Sequence, residues 1–461
     1  MPDLLAIYHR LPYPLRSLAA SLHGFRLQSS RYSIKTEKLV AEAHERERWS
    51  VAQWETWQSE RLAYTLNYAA KHVPYYRQQW QVRRRNGDRA SWEILENWPV
   101  LKKDAIRDTP DVFVADNVHK NDRIEEHTSG TTGKPMTFWL SRDAVQNWYA
   151  LFEARWRGWY GLSNQDRWGI LGGQLVVPFH QSKPPFWVWN VGMKQLYLSS
   201  YHISPQNVAD YLQAIQGHGL VYLLGYASSL FSLAQLALEQ NLKVSPLKAI
   251  LSNAEPLYQH QKEVIGKVFD CPVYDTYGLS ENVCAASECH HGNLHLWPEV
   301  GFIEILDDDG KPLSPGQAGR LVCTGLLNKT MPLIRYEVGD RALFSKIESC
   351  ACGRNMPVLG GIEGRSDDVL LMRDGRRIGR LDPVFKSDLP IREAQIIQDD
   401  FDRFRVNYVP SEGFSAKDLE VLKQRLCDRL GQVQIEFELL EKIPRTTNGK
   451  FRTVISNLRK N

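Results

Sequence analysis

From about residue 121 onward, short apolar stretches alternate with amphipathic helical patterns, and this alternation confines the chain to an α/β sheet architecture, α+β in parts. Trp168–Gly173, Val221–Gly225, Ala249–Asn253, Val300–Leu306 and Arg320–Thr324 read as strands. Between them, Val208–Gln216, Ser228–Gln240 and Tyr258–Phe269 read as helices. Upstream, residues 1 to about 120 read as mostly helical, in long polar and apolar mixes such as Ala41–Arg61 and Leu62–Ala70. Residues 301 to 365 are richer in β pattern, with turns at Asp309-Gly310 and Pro315-Gly316. The tail from about 366 reads as β, then helix (Ala416–Leu430), then strand (Val433–Leu440). A chain of 461 residues exceeds one ordinary core. The expected division is a large N-terminal domain, with a mainly helical part at 1–120 and an α/β core at 121–365, followed by a small C-terminal α/β domain at 366–461.

Composition excludes several classes. With 43% hydrophobic and 24% charged residues the balance is that of a globular protein. A net charge of +4 and the short basic runs Arg83-Arg84-Arg85 and Arg376-Arg377 do not argue for nucleic acid. No apolar run reaches about eighteen residues, so no transmembrane helix is expected. The N-terminus shows no clear pattern of a secretory signal, and a cytoplasmic location is the expectation. The segment Leu4 to Leu27 mixes Leu, Ile and aromatic residues with Arg10, Arg16 and Arg26. It reads either as a helix packed on the main domain, broken near Pro12 and Pro14, or as an amphipathic helix lying at the inner membrane face.

One loop carries phosphate-binding chemistry. In Ser129-Gly130-Thr131-Thr132-Gly133-Lys134-Pro135, glycines let backbone N–H groups converge, hydroxyls add donors and a lysine adds charge. The glycine spacing and Pro135 exclude a Walker A loop. Three distant segments share its character. Tyr274-Asp275-Thr276-Tyr277-Gly278-Leu279-Ser280-Glu281 offers a stacking face, an acceptor for an exocyclic amine and a carboxylate suited to Mg²⁺. Arg335-Tyr336-Glu337-Val338-Gly339-Asp340 places a carboxylate at a glycine turn, able to accept from two ribose hydroxyls. Pro444-Arg445-Thr446-Thr447-Asn448-Gly449-Lys450 displays a lysine from an Asn-Gly turn.

These segments, in this order, resemble the adenylate-forming superfamily of acyl- and aryl-CoA ligases, luciferases and peptide-synthetase adenylation domains. Within it the chain looks most like the phenylacetate–CoA ligase and CapK-like group. Leu251-Ser252-Asn253-Ala254-Glu255-Pro256-Leu257 matches the family's adenine-bordering segment, and Gly364-Arg365-Ser366-Asp367-Asp368 its hinge. The resemblance implies a two-step reaction. A small-molecule carboxylate attacks the α-phosphorus of ATP, giving an acyl-adenylate and pyrophosphate, and an acceptor, commonly CoA, then takes the acyl group. The small C-terminal domain swings between the steps about Asp367.

Roles follow from the same resemblance. Ser129, Thr131, Thr132 and Lys134 would hold the β- and γ-phosphates. Tyr277 would stack on adenine, with Asp275 and the Asn253, Ala254 and Glu255 backbone along its edge. Ser280 would meet the α-phosphate and Glu281 would bind Mg²⁺. Asp340 would hold the ribose hydroxyls, Arg365 would reach ribose or phosphate, and Lys450 would bridge the carboxylate and the α-phosphate.

The seven cysteines are distributed unevenly. Cys271, Cys323 and Cys427 stand apart, whereas Cys289, His295, Cys350 and Cys352 match a closed tetrahedral structural Zn²⁺ site. Cys284, His290 and His291 are alternative ligands. Similar spacings occur in the phenylacetate–CoA ligase-like group.

The stretch after the hinge departs from the phenylacetate–CoA ligases. It is Arg-rich, with Arg376, Arg377 and Arg380, and resembles the CapK-like subgroup. CoA and an amine or sugar of surface-polysaccharide assembly both stand as acceptors, and a catalytically silent relative is the further alternative. Trp139, Trp148, Trp156, Trp187 and Trp189, with His202, Tyr226, Ala227 and Ser228, are candidates for lining the acyl pocket.

Overall fold

The computed structural model describes residues 4–127, 136–178, 180–365, 370–373, 377–378, 389–446 and 451–458. Helices lead the chain: α1 (Leu4–Arg10), α2 (Tyr13–Arg31), α3 (Ile34–Arg46), α4 (Val51–His72), α5 (Pro74–Arg85) and α6 (Lys103–Asp108). The helical pattern over Ala41–Arg61 is cut at residues 47–50, because Ser50 starts a new helix. Its hydroxyl accepts from the Gln53 amide and the Gln53 side chain accepts from the Ser50 amide, a reciprocal cap.

The hairpin β1 (Arg123–His127) and β2 (Thr137–Ser141) follows, and α7 (Arg142–Leu151) leads into the main sheet. Its first strands are β3 (Trp168–Gly172), β4 (Trp187–Asn190) and β5 (Gln195–Ser199). Then helix and strand alternate: α8 (Val208–Gly217), β6 (Tyr222–Tyr226), α9 (Ala227–Glu239), β7 (Ala249–Asn253), α10 (Gln259–Phe269) and β8 (Val273–Gly278). The β-rich half comprises β9 (Ala285–Glu288), β10 (Leu294–Leu296), β11 (Gly301–Leu306), β12 (Gly319–Gly325), β13 (Tyr336–Phe344) and β14 (Val358–Arg365).

Among the described residues these strands form a 12-stranded sheet in the order β11-β12-β13-β14-β10-β9-β8-β7-β6-β3-β5-β4. The β5–β3–β6–β7–β8 run is parallel and the remainder antiparallel. The central parallel strands are buried, as Leu223, Leu224, Ile250 and Leu251 show. Apolar residues of α8, α9 and α10 cover one face of the parallel half. A tryptophan-rich cluster with Trp156, Trp159, Trp168 and Trp297 fills the other.

The C-terminal unit begins with the short pair β15 (Leu370–Leu371) and β16 (Arg377–Ile378). It continues through β17 (Ile391–Asp400), β18 (Arg403–Pro410), α11 (Ala416–Leu430), β19 (Gln434–Leu439) and β20 (Val454–Ser456). A 4-stranded sheet, β19-β18-β17-β20, packs on α11 around its own core of Ile396, Phe404, Val406, Leu422 and Leu426. The architecture is thus a large α/β body with a smaller C-terminal domain.

Candidate adenylate-forming site

In an open parallel sheet, ligands bind beyond the carboxyl ends of the strands. The ends of β6, β7 and β8 carry Tyr226, Asn253 and Gly278. Thr276 ties two of them together, since its hydroxyl donates to the Ser252 carbonyl at 2.6 Å. Tyr277 lies next to it and donates its hydroxyl to Asp340 Oδ2 at 2.6 Å, so the two residues named for adenine and ribose touch across 63 residues of sequence. Burial and the Asp340 charge raise the Tyr277 pKa well above the ordinary tyrosine value, which keeps the phenol a donor. Asp340 sits opposite Arg365 in the β13–β14 ladder.

Behind Tyr277 the sheet is backed by indoles. A Cβ placed on Gly278 would lie 3.3 Å from the Trp156 ring and 3.5 Å from that of Trp148, so glycine lets the strand rest on them. Trp148 and Trp156 therefore adjoin the strand end. Trp187 and Trp189 do not: both lie on β4, the far edge of the sheet, against Tyr211 and His218. His202 is likewise a packing residue, bonded to Ser199 Oγ at 2.8 Å and stacked on Phe186.

Ser280 is exposed and Glu281 buried just past β8. Glu281 Oε1 accepts from the Tyr336 hydroxyl at 2.9 Å and faces Lys103 Nζ at 3.3 Å. A buried carboxylate held beside one cation and one hydroxyl fits an oxygen-ligand role toward Mg²⁺. Sequence reasoning missed Lys103. It falls in a helix of six residues with no pattern of its own, and only the fold carries it to Glu281.

Asp275 lies in another setting. Its amide donates to Glu288 Oε2 at 2.7 Å, and Glu288 pairs with Lys262 Nζ at 2.5 Å. Burial and the neighbouring Glu288 charge push the Asp275 carboxyl up to about 8. Glu288 and Lys262 were not legible as partners, because the β8–β9 register sets the first and α10 the second.

Ala254, just past β7, has φ +63°, a left-handed conformation rare outside glycine, and the chain turns sharply there. The Glu255 side chain then points away from a purely nucleotide role. Its carboxylate accepts from the Ser228 amide in the first turn of α9 at 2.9 Å and from the Phe451 amide at 2.6 Å. Burial raises its pKa, against the pull of the Phe451 and Ser228 amides. Phe451 directly follows Lys450, so a large-domain carboxylate grips the chain beside that lysine.

Further contacts seal this junction. Arg445 Nη2 pairs with Glu393 Oε1 at 2.5 Å, and Ser232 Oγ donates to the same oxygen at 3.2 Å. Arg392 pairs with Glu239 at 2.6 Å, and Lys442 Nζ donates to the Tyr201 carbonyl at 3.1 Å. A cavity of about 480 Å³ remains between α9, α10 and β17, lined by Phe231, Gln235, Val264, Ile391 and Arg392. Ser129, Thr131, Thr132, Lys134, Asp367 and Lys450, and the side chain of Arg365, lie outside the described residues.

A second polar grouping lies beyond β9. Cys289, His295, Cys350 and Cys352 bring their ligand atoms within 4.8 Å of one another. Cys289 Sγ is 3.6 Å from Cys350 Sγ, and Cys352 Sγ is 3.3 Å from His295 Nε2. Thiolates around one zinc, each about 2.3 Å from it, are spaced by roughly 3.7 Å, so the donor set fits a tetrahedral ion. His295 Nδ1 faces the Met356 carbonyl at 3.3 Å, which leaves Nε2 toward the thiols. Burial drives the His295 pKa down to about 4, so the ring is neutral.

The alternative ligands lie outside this four-residue cluster. His290 contacts the Tyr274 hydroxyl and the Trp159 carbonyl, Cys284 is buried in the core, and His291 is exposed.

Residues 56–329 match the AMP-binding enzyme family and residues 370–457 the CapK C-terminal domain. The chain belongs to the AMP-binding, adenylate-forming family, and within it to the CapK-like group. It is 27% identical to Protein CapK of Staphylococcus aureus over 460 residues, covering 98% of this chain and 99% of that protein. It is 27% identical to the phenylacetate-coenzyme A ligase of Escherichia coli (strain K12), over 70% of this chain and 74% of that one. Among solved structures, 2-hydroxyisobutyryl-CoA ligase in the postadenylation state, with an acyl-AMP bound, superimposes with a TM-score of 0.68. The identity is 23%, over 89% of this chain and 91% of that chain.

Proposed function

We propose that this protein activates a carboxylic acid with ATP, forming an acyl-adenylate and releasing pyrophosphate, and then passes the acyl group to an acceptor. The observation that carries this reading is the convergence of Tyr277, Asp340 and Glu281 at the carboxyl end of β8, with Phe451 held to Glu255 beside Lys450. Tyr277 would stack on adenine while Asp340 turns from the phenol to the ribose hydroxyls. Asn253 and Ala254 would border the base, with Asp275 at its edge.

Glu281, poised by Tyr336 and Lys103, would hold Mg²⁺, which supplies charge neutralisation at the phosphates. The 129–134 loop would take the pyrophosphate side, with Ser280 and Arg365 at the α-phosphate and ribose. Lys450 would hold the substrate carboxylate against the α-phosphorus. Such a reaction needs positioning and electrostatics rather than covalent help. Glu255 would keep the Lys450 turn on the large domain during adenylation, and Asp367 would be the hinge about which it later leaves.

Cys289, His295, Cys350 and Cys352 would hold a structural Zn²⁺. Four protein ligands leave no open position, so the ion would staple the β9–β10 turn to the 350–353 loop.

For the acceptor, a CoA thiol and an amine or sugar both fit the class. The C-terminal match is to the CapK domain, and Arg376, Arg377 and Arg380 would meet either CoA phosphates or the anionic groups of a sugar acceptor. The test is ATP–pyrophosphate exchange across a panel of carboxylic acids, followed by product release with and without CoA. Acid-dependent exchange supports adenylation, and its absence for every acid overturns it. Turnover that ignores CoA favours the amine or sugar acceptor.

A further inference from the structure

Helix α2 is amphipathic and docked the unusual way round. Leu15, Leu18, Leu22 and Phe25 recur at spacings of three and four and form one stripe, and they are 46%, 54%, 60% and 51% exposed. The buried positions are Arg16, Ser21 and Gly24. The polar, small-residue face thus packs on the protein, and the apolar face looks outward.

The packing is close and specific. Ser21 Oγ accepts from the Val191 amide at 3.1 Å, and Arg16 donates to Gln181 at 3.2 Å. A Cβ on Gly24 would fall 1.9 Å from Asn190 Oδ1, and one on Gly192 would fall 2.4 Å from the Phe25 amide nitrogen. The helix backbone therefore rests on the β4–β5 turn and cannot roll to bury its leucines. Val191, on that turn, is itself exposed and extends the apolar surface.

Charge on this face is one-sided. No Asp or Glu occurs from residue 4 to 36, where Arg10, Arg16, Arg26, Arg31 and Lys35 lie. Nor does one occur from 167 to 209, the segment that supplies β3, β4 and β5 with Arg167, Lys183 and Lys194. Asp143 on α7 is paired with Lys35 at 2.6 Å. A contiguous exposed apolar stripe marks a binding surface rather than ordinary exposure.

We infer that the outward face of α2, with Ile7 of α1 and Val191 of the β4–β5 turn, docks on an anionic lipid bilayer. The leucines and Phe25 would enter the headgroup–acyl boundary while Arg10 and Arg26, both exposed, meet lipid phosphates. A second copy of this chain fits less well. Stripe against stripe would set these cations against themselves with no carboxylate to answer them.

The test uses the purified full-length chain and vesicles of phosphatidylcholine alone or mixed with phosphatidylglycerol. Sedimentation should show binding to the mixed vesicles that weakens with salt, and little binding to neutral ones. Leu18→Gln with Leu22→Gln should reduce binding on the order of tenfold, through lost apolar insertion. Arg10→Gln with Arg26→Gln should reduce it to a similar order, through lost headgroup attraction. Both pairs are exposed and outside the adenylate site, so pyrophosphate exchange should not change. Absence of vesicle binding by the unaltered chain overturns the inference, as does unaltered binding by the leucine variant. A dimer that the leucine variant converts to monomer, with no lipid binding, would assign the face to self-association instead.

Discussion

The Glu255–Phe451 junction and the Cys289–Cys352 cluster are both buried polar groupings that link distant parts of the chain, yet they are made of opposite materials. At the junction, the Glu255 carboxylate accepts the Phe451 amide and Arg392 meets Glu239. Each of these groups could return to water if the small domain left, as proposed, because hydration would replace what is lost and the net difference is modest. In the cluster, three thiols and an imidazole stand at ligand spacing, a set with little hydrogen-bonding strength of its own and large affinity for a soft ion. The first grouping suits a contact that can be exchanged for water. The second suits one that must hold. The difference teaches that burial alone does not mark a structural staple; the chemistry of the buried groups does.

Four measurements would break or sharpen this contrast. The largest effect is expected from Lys450→Ala. Loss of one preorganised cation at the reacting phosphate should lower acid-dependent pyrophosphate exchange about 100- to 1000-fold, with ATP affinity by calorimetry nearly unchanged. Full exchange in this variant would remove the reason for the junction. Next, Cys350→Ser should strip the cluster of its metal, with metal analysis falling from about one zinc per chain to none. Its thermal midpoint should drop by roughly 4 °C, the equivalent of about 3 kcal/mol at about 2.1 cal/mol/K per residue of the large domain. A chelator should lower the parent protein in the same way and leave the variant unmoved.

A smaller effect is expected from Glu255→Gln, which leaves the Phe451 amide with a weaker acceptor. Exchange should slow about tenfold, the equivalent of about 1.4 kcal/mol, while the thermal midpoint stays within about 2 °C. A large loss of midpoint instead would make the junction a staple as well.

The smallest effect concerns Asp275, whose amide donates to Glu288, the residue before Cys289. Its pKa is raised to about 8 in the folded chain, above the unfolded carboxylate value of about 4. Between those values the folded state holds a proton that the unfolded state has lost, so stability falls as pH rises. Denaturant titrations should show this fall, on the order of 1 kcal/mol across the neutral range, and Asp275→Asn should flatten it. An unchanged slope would separate Asp275 from the Glu288 charge.

Much of the fold was open to reading because its signals are local. Strand and helix periods are set by neighbouring residues, and the strings around Tyr277 and Asp340 are short segments whose glycines and carboxylates sit together in sequence. The reading failed where a partner came from another element. Lys103 and Tyr336 reach Glu281 only across the fold. The helical pattern of Ala41–Arg61 concealed a break, because the Ser50 cap competes with a continuous period that looks unbroken. Trp187 and Trp189 stood among the candidates for lining the acyl pocket, but strand order sends them to the sheet edge.

The sequence by itself determined the family, the α/β architecture and the kinds of atoms available at the strand ends, since each depends on short-range pattern and residue type. Only the tertiary structure decided which of those atoms meet. Glu255 and the Phe451 amide are 196 residues apart, and no local preference couples them. The stripe of Leu15, Leu18, Leu22 and Phe25 is visible in the sequence as a helical period, and a period has no inside or outside. The close approach of Gly24 and Gly192 turned that stripe away from the core, because two backbones that pack without side chains between them leave no room for leucines to be buried there.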